Sequence, residues 1–435
     1  MTPAARVAAS IDLLAAIQAS PNRPADGVAN DFFRARRFIG SGDRRAVSDR
    51  VWRVLRAWCR LSWWLARSGC DPVPRLLVVA SLLTEGWRLS ALERAFSGGC
   101  FAPAPLSAVE RAVLAPIEGH TLDHPGMPES VQLELPDWIV ARLAARFGGA
   151  LRAEARAWNA PAPLDLRVNL LKATRGQARE ALAAEGIKAV ETPISPWGLR
   201  VAGRRAVTTG AAFRSGLVEI QDEGSQLVTI LADARPGMRV SDLCAGAGGK
   251  TLALAMAMGN RGHLLACDIS APRLDGAIRR LRRAGVSNVE RHLLVAGDKL
   301  IKRRAGSFDR VLVDAPCSGT GTWRRNPDAR LRLAERDLRE LRAKQEAVLA
   351  SGAKLVRPGG KLIYATCSLL PEENEQTVSA FLDHHPGFTP VPAQRAWTLP
   401  GPAPEHEGFL ALTPARHGTD GFFIAVLERR AEPPP

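Results

Sequence analysis

Apolar residues recur at three- to four-residue spacing from Ala5 to about Arg146, which predicts amphipathic helices. The pattern is densest around Trp52, Leu55, Trp58, Cys59, Trp63 and Trp64 and again from Leu76 to Leu92, and no strand-like alternation interrupts it. Val7, Ile11, Leu14 and Ile17 share one helical face, and Asp12 breaks the only apolar stretch near the start, so this segment reads as a helix and not as a cleavable signal. Leu76 to Leu83 is an eight-residue run that is apolar apart from Ser81. A bilayer span needs about 20 such residues, so the run predicts a buried helix. Pro103, Pro105, Pro125, Pro128 and Pro136 then disrupt the periodicity, and 103–136 is expected to connect this module to the rest of the chain.

A helix is predicted over Trp138 to Asn159. Strand character over Asp165 to Leu171 and Gly198 to Val201, separated by a polar helical stretch from Arg175 to Glu185, predicts a small α+β insert. Asp222 is placed to cap a helix carrying Leu227, Val228, Ile230 and Leu231. From Gly237 strands alternate with helices: Arg239 to Leu243, His263 to Asp268, Val289 to Leu294, Phe308 to Asp314 and Gly360 to Thr366. That grammar predicts a parallel, doubly wound α/β sheet. The expected organisation is an all-α domain over 1–145, an α+β insert over 146–215 and an α/β domain over 216–432.

The 435 residues suit two or three domains. Lys and Arg number 59 against 44 acids, a net charge of +15 that favours a polyanionic partner, foremost nucleic acid. Only eight of the basic residues are Lys, a skew expected of a GC-rich genome that leaves the net excess unexplained. The first 100 residues hold 15 Arg against eight acids, so the helical module should carry a basic face. The seven cysteines form no CxxC pair and have no His at ligand spacing, which argues against a zinc site. Reduced thiols, a cytoplasmic monomer and neither membrane nor metal are expected.

In an open α/β sheet ligands bind beyond the carboxyl ends of the strands, where strand order reverses. The first strand ends in Asp242, followed by Leu243, Cys244, Ala245, Gly246, Ala247, Gly248, Gly249, Lys250 and Thr251. Glycines there let the backbone approach a ligand, and the helix behind them offers unpaired N–H groups. A phosphate-binding loop would need glycine six residues before Lys250, where Cys244 stands. Asp268, closing the second strand, is placed for a ribose diol. Together these residues suit an adenosine-containing cofactor. The segment Asp314-Ala-Pro-Cys317-Ser-Gly-Thr-Gly321 puts an acid and a thiol at one strand end, and Thr366-Cys367-Ser368 puts a second thiol at the next. Parallel neighbours lie about 4.8 Å apart, so both sulfurs should enter one crevice.

These motifs resemble the RsmB-like (Sun-type) RNA cytosine-5 methyltransferases, which use S-adenosylmethionine. The resemblance spans nearly the whole chain and rests on the Gly-Gly-Lys-Thr loop, the Cys317 segment, Arg324-Arg-Asn-Pro-Asp328, Tyr364-Ala-Thr-Cys367-Ser368 with Pro371-Glu-Glu-Asn-Glu375, and Asp420-Gly-Phe-Phe423. It implies a NusB-like helical module at the N-terminus, an RNA-binding insert beginning at Asp165, and a class I methyltransferase domain with a Rossmann-like sheet. It further implies Cys367 as the nucleophile that adds to cytosine C6, Cys317 as the thiol that assists C5 proton removal and product release, and Asp298 as the contact to the adenine edge. RNA, foremost small-subunit 16S rRNA with tRNA still open, becomes the expected partner. One departure stands out: the family's loop usually has Ala-Pro before Gly-Gly-Lys, where this chain has Gly246-Ala247-Gly248.

Within that reading Asp314 accepts from the cytosine N4 amine or protonates N3, and Lys250 orients the base or Asp314. From Arg273 to Arg304 ten basic residues face three acids, and Arg324, Arg325, Arg330, Arg332 and Arg336 come after the Cys317 turn; these are candidates for an RNA track or for solvated helix faces. Trp323 either stacks on a base or fills a gap. The rival readings are a DNA cytosine-5 methyltransferase, whose nucleophile would be Cys317, and a non-catalytic RNA-binding assembly or antitermination factor.

Overall fold

The computed structural model describes residues 1–203 and 206–431, so the expected domain end at 432 lies outside the described residues. The chain forms two units, one built from Met1–Pro161 together with Trp323–Ala334 and the other from the remainder.

The first unit is helical, as the periodicity requires. Thr2 caps the helix Pro3–Gln18 by accepting from the Ala5 N–H, and the face carrying Val7, Leu14 and Ile17 is buried with Ile11 packed at its edge. The apolar run is the helix Pro74–Leu83, with every residue from Leu76 to Leu83 buried. Proline opens it, where a missing N–H costs nothing.

Two expectations need correction here. The stretch 103–136 is more than a connector. It contains the helix Ala108–Leu114, closed by a Ser107–Glu110 capping box, and the helix Glu129–Leu133, while Leu106, Leu114, Ile117 and Met127 join the helical core. The helix expected over Trp138 to Asn159 is two, Asp137–Phe147 and Leu151–Asn159, because the pair Gly148-Gly149 intervenes with Gly148 at φ +50°.

Trp323–Ala334 packs inside this unit. Trp323 is fully buried, edge-on to Trp158 with ring centroids 6.4 Å apart, so it fills a gap and is not available for stacking on a base. Arg330 is 2% exposed; it donates to the carbonyls of Leu55 and Arg56 at 3.1 and 2.7 Å and to Asn159, and lies 3.7 Å from Glu134. Asp328 accepts from the Ala25 N–H at 3.0 Å. Arg324 and Arg330, both buried, therefore leave the candidate RNA track and take part in internal bonding.

The second unit opens with a four-stranded antiparallel sheet of β1 (Leu164–Val168), β2 (Ala189–Glu191), β3 (Gly198–Val201) and β4 (Val218–Ile220), in the order β2-β3-β1-β4. The strand expected to reach Leu171 stops at Val168, because the Asn169 side chain accepts from the Leu171 N–H and turns the chain. β2 and β4, three residues each, are too short for an alternation to show.

The large sheet contains β5 (Arg239–Asp242), β6 (His263–Asp268), β7 (Val289–Leu293), β8 (Phe308–Asp314), β9 (Val356–Thr366), β10 (Phe388–Pro390), β11 (Glu405–His406), β12 (Phe409–Leu412) and β13 (Phe422–Arg429). Its order is β11-β12-β13-β9-β8-β5-β6-β7, with β10 on β13. The stretch from β9 to β7 is parallel, but β13 runs antiparallel to β9, so the sheet is mixed and not wholly parallel. The helix before β13, Pro414–His417, is four residues long and cannot make a crossover, so the chain returns antiparallel. The chain winds from β5 out to β7, then resumes on the other side with β8 and β9. Strand order reverses between β5 and β8, and the crevice opens at their carboxyl ends.

Replacing Arg330 with Met removes the donors that satisfy these carbonyls and the cation beside buried Glu134. A loss of about 3–5 kcal/mol is expected, measured by urea unfolding followed through tryptophan fluorescence. A loss below about 1 kcal/mol contradicts the anchoring role.

Candidate active site

Asp242 ends β5, and the chain then passes through a loop into the helix Gly249–Ala257. Gly246 and Gly248 hold φ of +55° and +81°, and a Cβ at Gly248 would stand 3.1 Å from that of Ala277, so backbone conformation and space together require glycine there. No side chain caps the helix, which leaves its first N–H groups for a ligand. Asp268, at the end of β6, accepts from the Gly246 and Ser270 N–H groups at 2.7 and 2.8 Å and so ties the loop to its neighbouring strand. Arg280 donates to the Ala247 carbonyl at 2.6 Å and buried Arg167 to that of Gly249 at 2.8 Å, holding the loop from behind. Ala245 and Thr251 are buried in the same turn.

Asp242 is fully buried. One carboxylate oxygen accepts from the Thr251 hydroxyl at 2.7 Å and the other has no partner among the described residues. Burial pushes its pKa up to about 7, the Thr251 hydrogen bond opposes this, and the charges of Asp314 and Asp268 add to it. Asp298 sits in the turn after β7, accepts from the Leu300 N–H at 2.8 Å and pairs with His292, whose hydrogen bond holds the carboxyl below the usual range.

At the neighbouring strand ends, β8 and β9 pair in parallel with Asp314 opposite Ala365. That register brings Cys317 and Cys367, both half-buried free thiols, to an Sγ–Sγ distance of 3.4 Å. The two thiols expected in one crevice do meet. Cys317 is held well above the ordinary thiol range, first by its hydrogen bond with Cys367, then by burial and by the charges of Cys367 and Glu373. Lys250 Nζ lies 2.7 Å from the Asp314 carboxylate and 5.5 Å from the centre of the Phe422 ring. Burial works against the Lys250 charge, but the charge and hydrogen bond of Asp314, with smaller contributions from Cys367 and Asp242, outweigh it and keep the ammonium protonated.

Glycine explains how the two thiol loops and the C-terminal turn fit together. The Gly321 N–H donates to the Cys367 carbonyl at 2.9 Å, the Gly421 N–H donates to the Gly321 carbonyl at 2.8 Å, and a Cβ on Gly321 would lie 2.3 Å from the Gly421 oxygen. The Gly-Thr-Gly and Asp-Gly-Phe-Phe segments are therefore one packing feature.

Several residues of the site escape pattern reasoning. Ile269, 83% exposed beside Asp268, offers an apolar surface at the crevice, and only burial reveals it. Arg167 lies on a strand of the small sheet, far from the loop in sequence. Buried Gln345, Ser368, Glu373 and Asn374 and half-buried Ser318 form a polar network under the thiols. Ser318 and Ser368 fall in the two thiol motifs and Glu373 and Asn374 in the segment after Pro371, but nothing in the sequence joins them into a network.

Residues 228–428 match the family model of the 16S rRNA methyltransferase RsmB/F, and residues 135–208 match the ferredoxin-like domain of RsmF/B-like methyltransferases. The probable ribosomal RNA small subunit methyltransferase B of Synechocystis is 34% identical over 315 residues, 71% of this chain and 70% of that protein. The ribosomal RNA small subunit methyltransferase B of Yersinia pseudotuberculosis is 35% identical over 297 residues, 68% of this chain and 66% of that protein. Among solved structures, the crystal structure of PH0851 matches with a TM-score of 0.80 at 27% identity over 99% of each chain. A methyltransferase homologue from Pyrococcus horikoshii matches with a TM-score of 0.61 at 29% identity, over 71% of this chain and all of that one. The methyl donor is S-adenosylmethionine, and the crevice suits it: an uncapped helix start, an exposed apolar Ile269 and a carboxylate at the end of β6 match its amino-acid, adenine and ribose parts. The chain belongs to the RsmB/F family of 16S rRNA methyltransferases.

Proposed function

We propose that the protein methylates C5 of a cytosine in RNA, with 16S rRNA as substrate and with Cys367 as the nucleophile. The observation that carries this reading is the 3.4 Å contact between two free thiols at adjacent strand ends, beside the Lys250–Asp314 pair. Cytosine C5 is a poor nucleophile until a group adds at C6. The Cys367 sulfur forms the bond to C6, and the ring electrons shift toward N3 and C5. Asp314, oriented by Lys250, faces the pyrimidine N3–N4 edge and favours cytosine over uracil. Bound S-adenosylmethionine supplies an electrophilic methyl group on a sulfonium. Cys317 assists in taking the proton from C5, after which the Cys367–C6 bond breaks and the aromatic ring is restored.

The target base must leave its stack, which costs a few kcal/mol. Exposed Arg273, Arg279 and Arg282 on the helix Ala271–Ala284, with exposed Lys299, Lys302 and Arg303, form the basic surface that would hold the RNA backbone. The helical unit is read as the NusB-like module of RsmB-type members and the four-stranded sheet as an RNA-binding insert.

Separate replacement of the thiols tests the assignment on an RNA carrying 5-fluorocytidine, with adducts followed by a gel shift. Cys367→Ala should form no adduct and lose at least about 1000-fold in methyl transfer. Cys317→Ala should still form the adduct and fail to release product. Activity retained by Cys367→Ala, with trapping abolished by Cys317→Ala, contradicts the roles.

Asp242 yields a pH test on the cofactor-free protein. Its carboxyl titrates near 7 when folded and near the ordinary value when unfolded, so stability declines as pH rises between the two. Asp242→Asn removes this titration. The Tm of the variant relative to the unmodified protein should rise from about pH 5 to about pH 7.5; a constant difference contradicts the burial argument.

A further inference from the structure

Glu373 lies beneath the thiols and is fully buried. Its carboxylate accepts four hydrogen bonds: one oxygen from the Ser318 N–H at 2.8 Å and from Gln345 Nε2 at 2.9 Å, the other from the hydroxyls of Ser318 and Ser368. No cation among the described residues pairs with it. A buried carboxylate held by neutral donors alone is costly, and packing does not require one where a neutral residue could fill the space. Its donors are placed with purpose. Ser318 comes directly after Cys317 and Ser368 directly after Cys367, so one side chain bridges the residues next to both sulfurs.

The bridge is reinforced on each side. Gln345 also donates to the Pro316 carbonyl at 2.9 Å, one residue before Cys317. Ser368 Oγ accepts from the Leu370 N–H at 3.0 Å, and the Thr320 hydroxyl accepts from the Leu369 N–H at 2.7 Å. Tyr364 donates to the Glu373 carbonyl at 2.6 Å, and Asn374 donates to the Ser368 carbonyl at 2.9 Å. The segment from Pro371 thus folds back under the strand that carries Cys367 and fixes the Glu373 backbone to it.

We propose that Glu373 is a positioning residue for methyl transfer: it clamps the Cys317 and Cys367 loops together and so sets the distance and direction of the two sulfurs. This rests on the thiol roles given above. Strand pairing alone brings the chain ends to neighbouring positions, but each thiol lies beyond the last paired residue of β8 and β9, where the Gly321–Cys367 backbone bond and the side-chain bonds to Glu373 define the geometry. The negative charge of Glu373 also acts on Cys317, in the sense that keeps this thiol protonated.

Glu373→Gln and Glu373→Ala test the clamp in the full-length protein. Gln retains an oxygen for the Ser318 N–H but cannot accept from both sides as the carboxylate does; Ala removes the bridge. S-adenosylmethionine affinity by calorimetry should stay within about twofold, which checks folding. In steady-state methylation of the RNA, kcat should fall about tenfold for Gln and at least about 100-fold for Ala, with KM for RNA within about threefold. A geometric readout uses diamide, whose N=N bond takes two electrons and two protons from the thiols as the Cys317–Cys367 disulfide forms. Disulfide formation, followed by mass spectrometry, should be at least about tenfold slower in Glu373→Ala than in the unmodified protein. An Ala variant that keeps kcat within about threefold, or that loses activity while its disulfide forms at the original rate, overturns the clamp. Normal methylation by Cys367→Ala would instead overturn the thiol roles and leave the clamp's geometric readout standing.

Discussion

Parallel pairing of β8 with β9 is the constraint on which the rest of the site depends. Each strand carries an ordinary buried apolar run, Val311-Leu312-Val313 in one and Leu362-Ile363-Tyr364-Ala365 in the other, and nothing in either one alone makes a reactive centre. Side by side and in this register, they end together, and the thiols just beyond them, Cys317 and Cys367, come into contact. A shift of one residue would turn the side chains of one strand to the other face of the sheet and separate the thiols. Two features guard against that. Gly352 sits against Val311, Val313 and Leu362, where no side chain would fit, and the Gly321 N–H bonds the Cys367 carbonyl just beyond the paired region.

The electrostatics of the crevice arise from the same geometry. Three carboxylates, Asp242, Asp268 and Asp314, converge on the switch point, with Lys250 as the cation among them. Buried like charges repel, and the strain is relieved by division of labour: Asp314 takes the ammonium, Asp268 takes two backbone N–H groups and Asp242, with only a hydroxyl, shifts toward the protonated form. A cationic methyl donor entering this region meets an excess of negative charge, which favours the sulfonium over the neutral thioether left after transfer. The thiol pair has the complementary logic. Cys317 is biased toward the neutral form by its hydrogen bond with Cys367, by burial and by the charges around it.

Much of this was legible in the sequence because the signals are local. The strand ends at Asp242, Asp268 and Asp314 are marked by short apolar runs closed by an acid, and His263–Asp268 and Phe308–Asp314 fall where the pattern puts them. The two thiols stand out because glycine-rich turns at strand ends have no packing need for sulfur. What was hidden is long-range. β13 is apolar through most of its length and buried on both faces, so it shows no alternation, and its antiparallel direction depends on the brevity of the helix before it. Arg324 and Arg330 read as surface residues, and Trp323 as either a stacking residue or a gap filler, because they come just after the Cys317 turn in sequence. Their partners, Trp158, Arg56 and Leu55, lie far back in the chain. Glu373 reads as one acid among several, and only the coordinates reveal that both thiol loops hang from it.

In the proposed reaction the sulfur of Cys367, and not that of Cys317, bonds to the base. Peptide mapping of the unmodified protein after trapping on 5-fluorocytidine RNA addresses it directly, because trypsin places the two thiols on different peptides, Val311–Arg324 and Leu362–Arg395. A nucleotide mass is expected on the Leu362–Arg395 peptide alone. A nucleotide on Val311–Arg324, or methyl transfer to RNA with neither peptide modified, would contradict it.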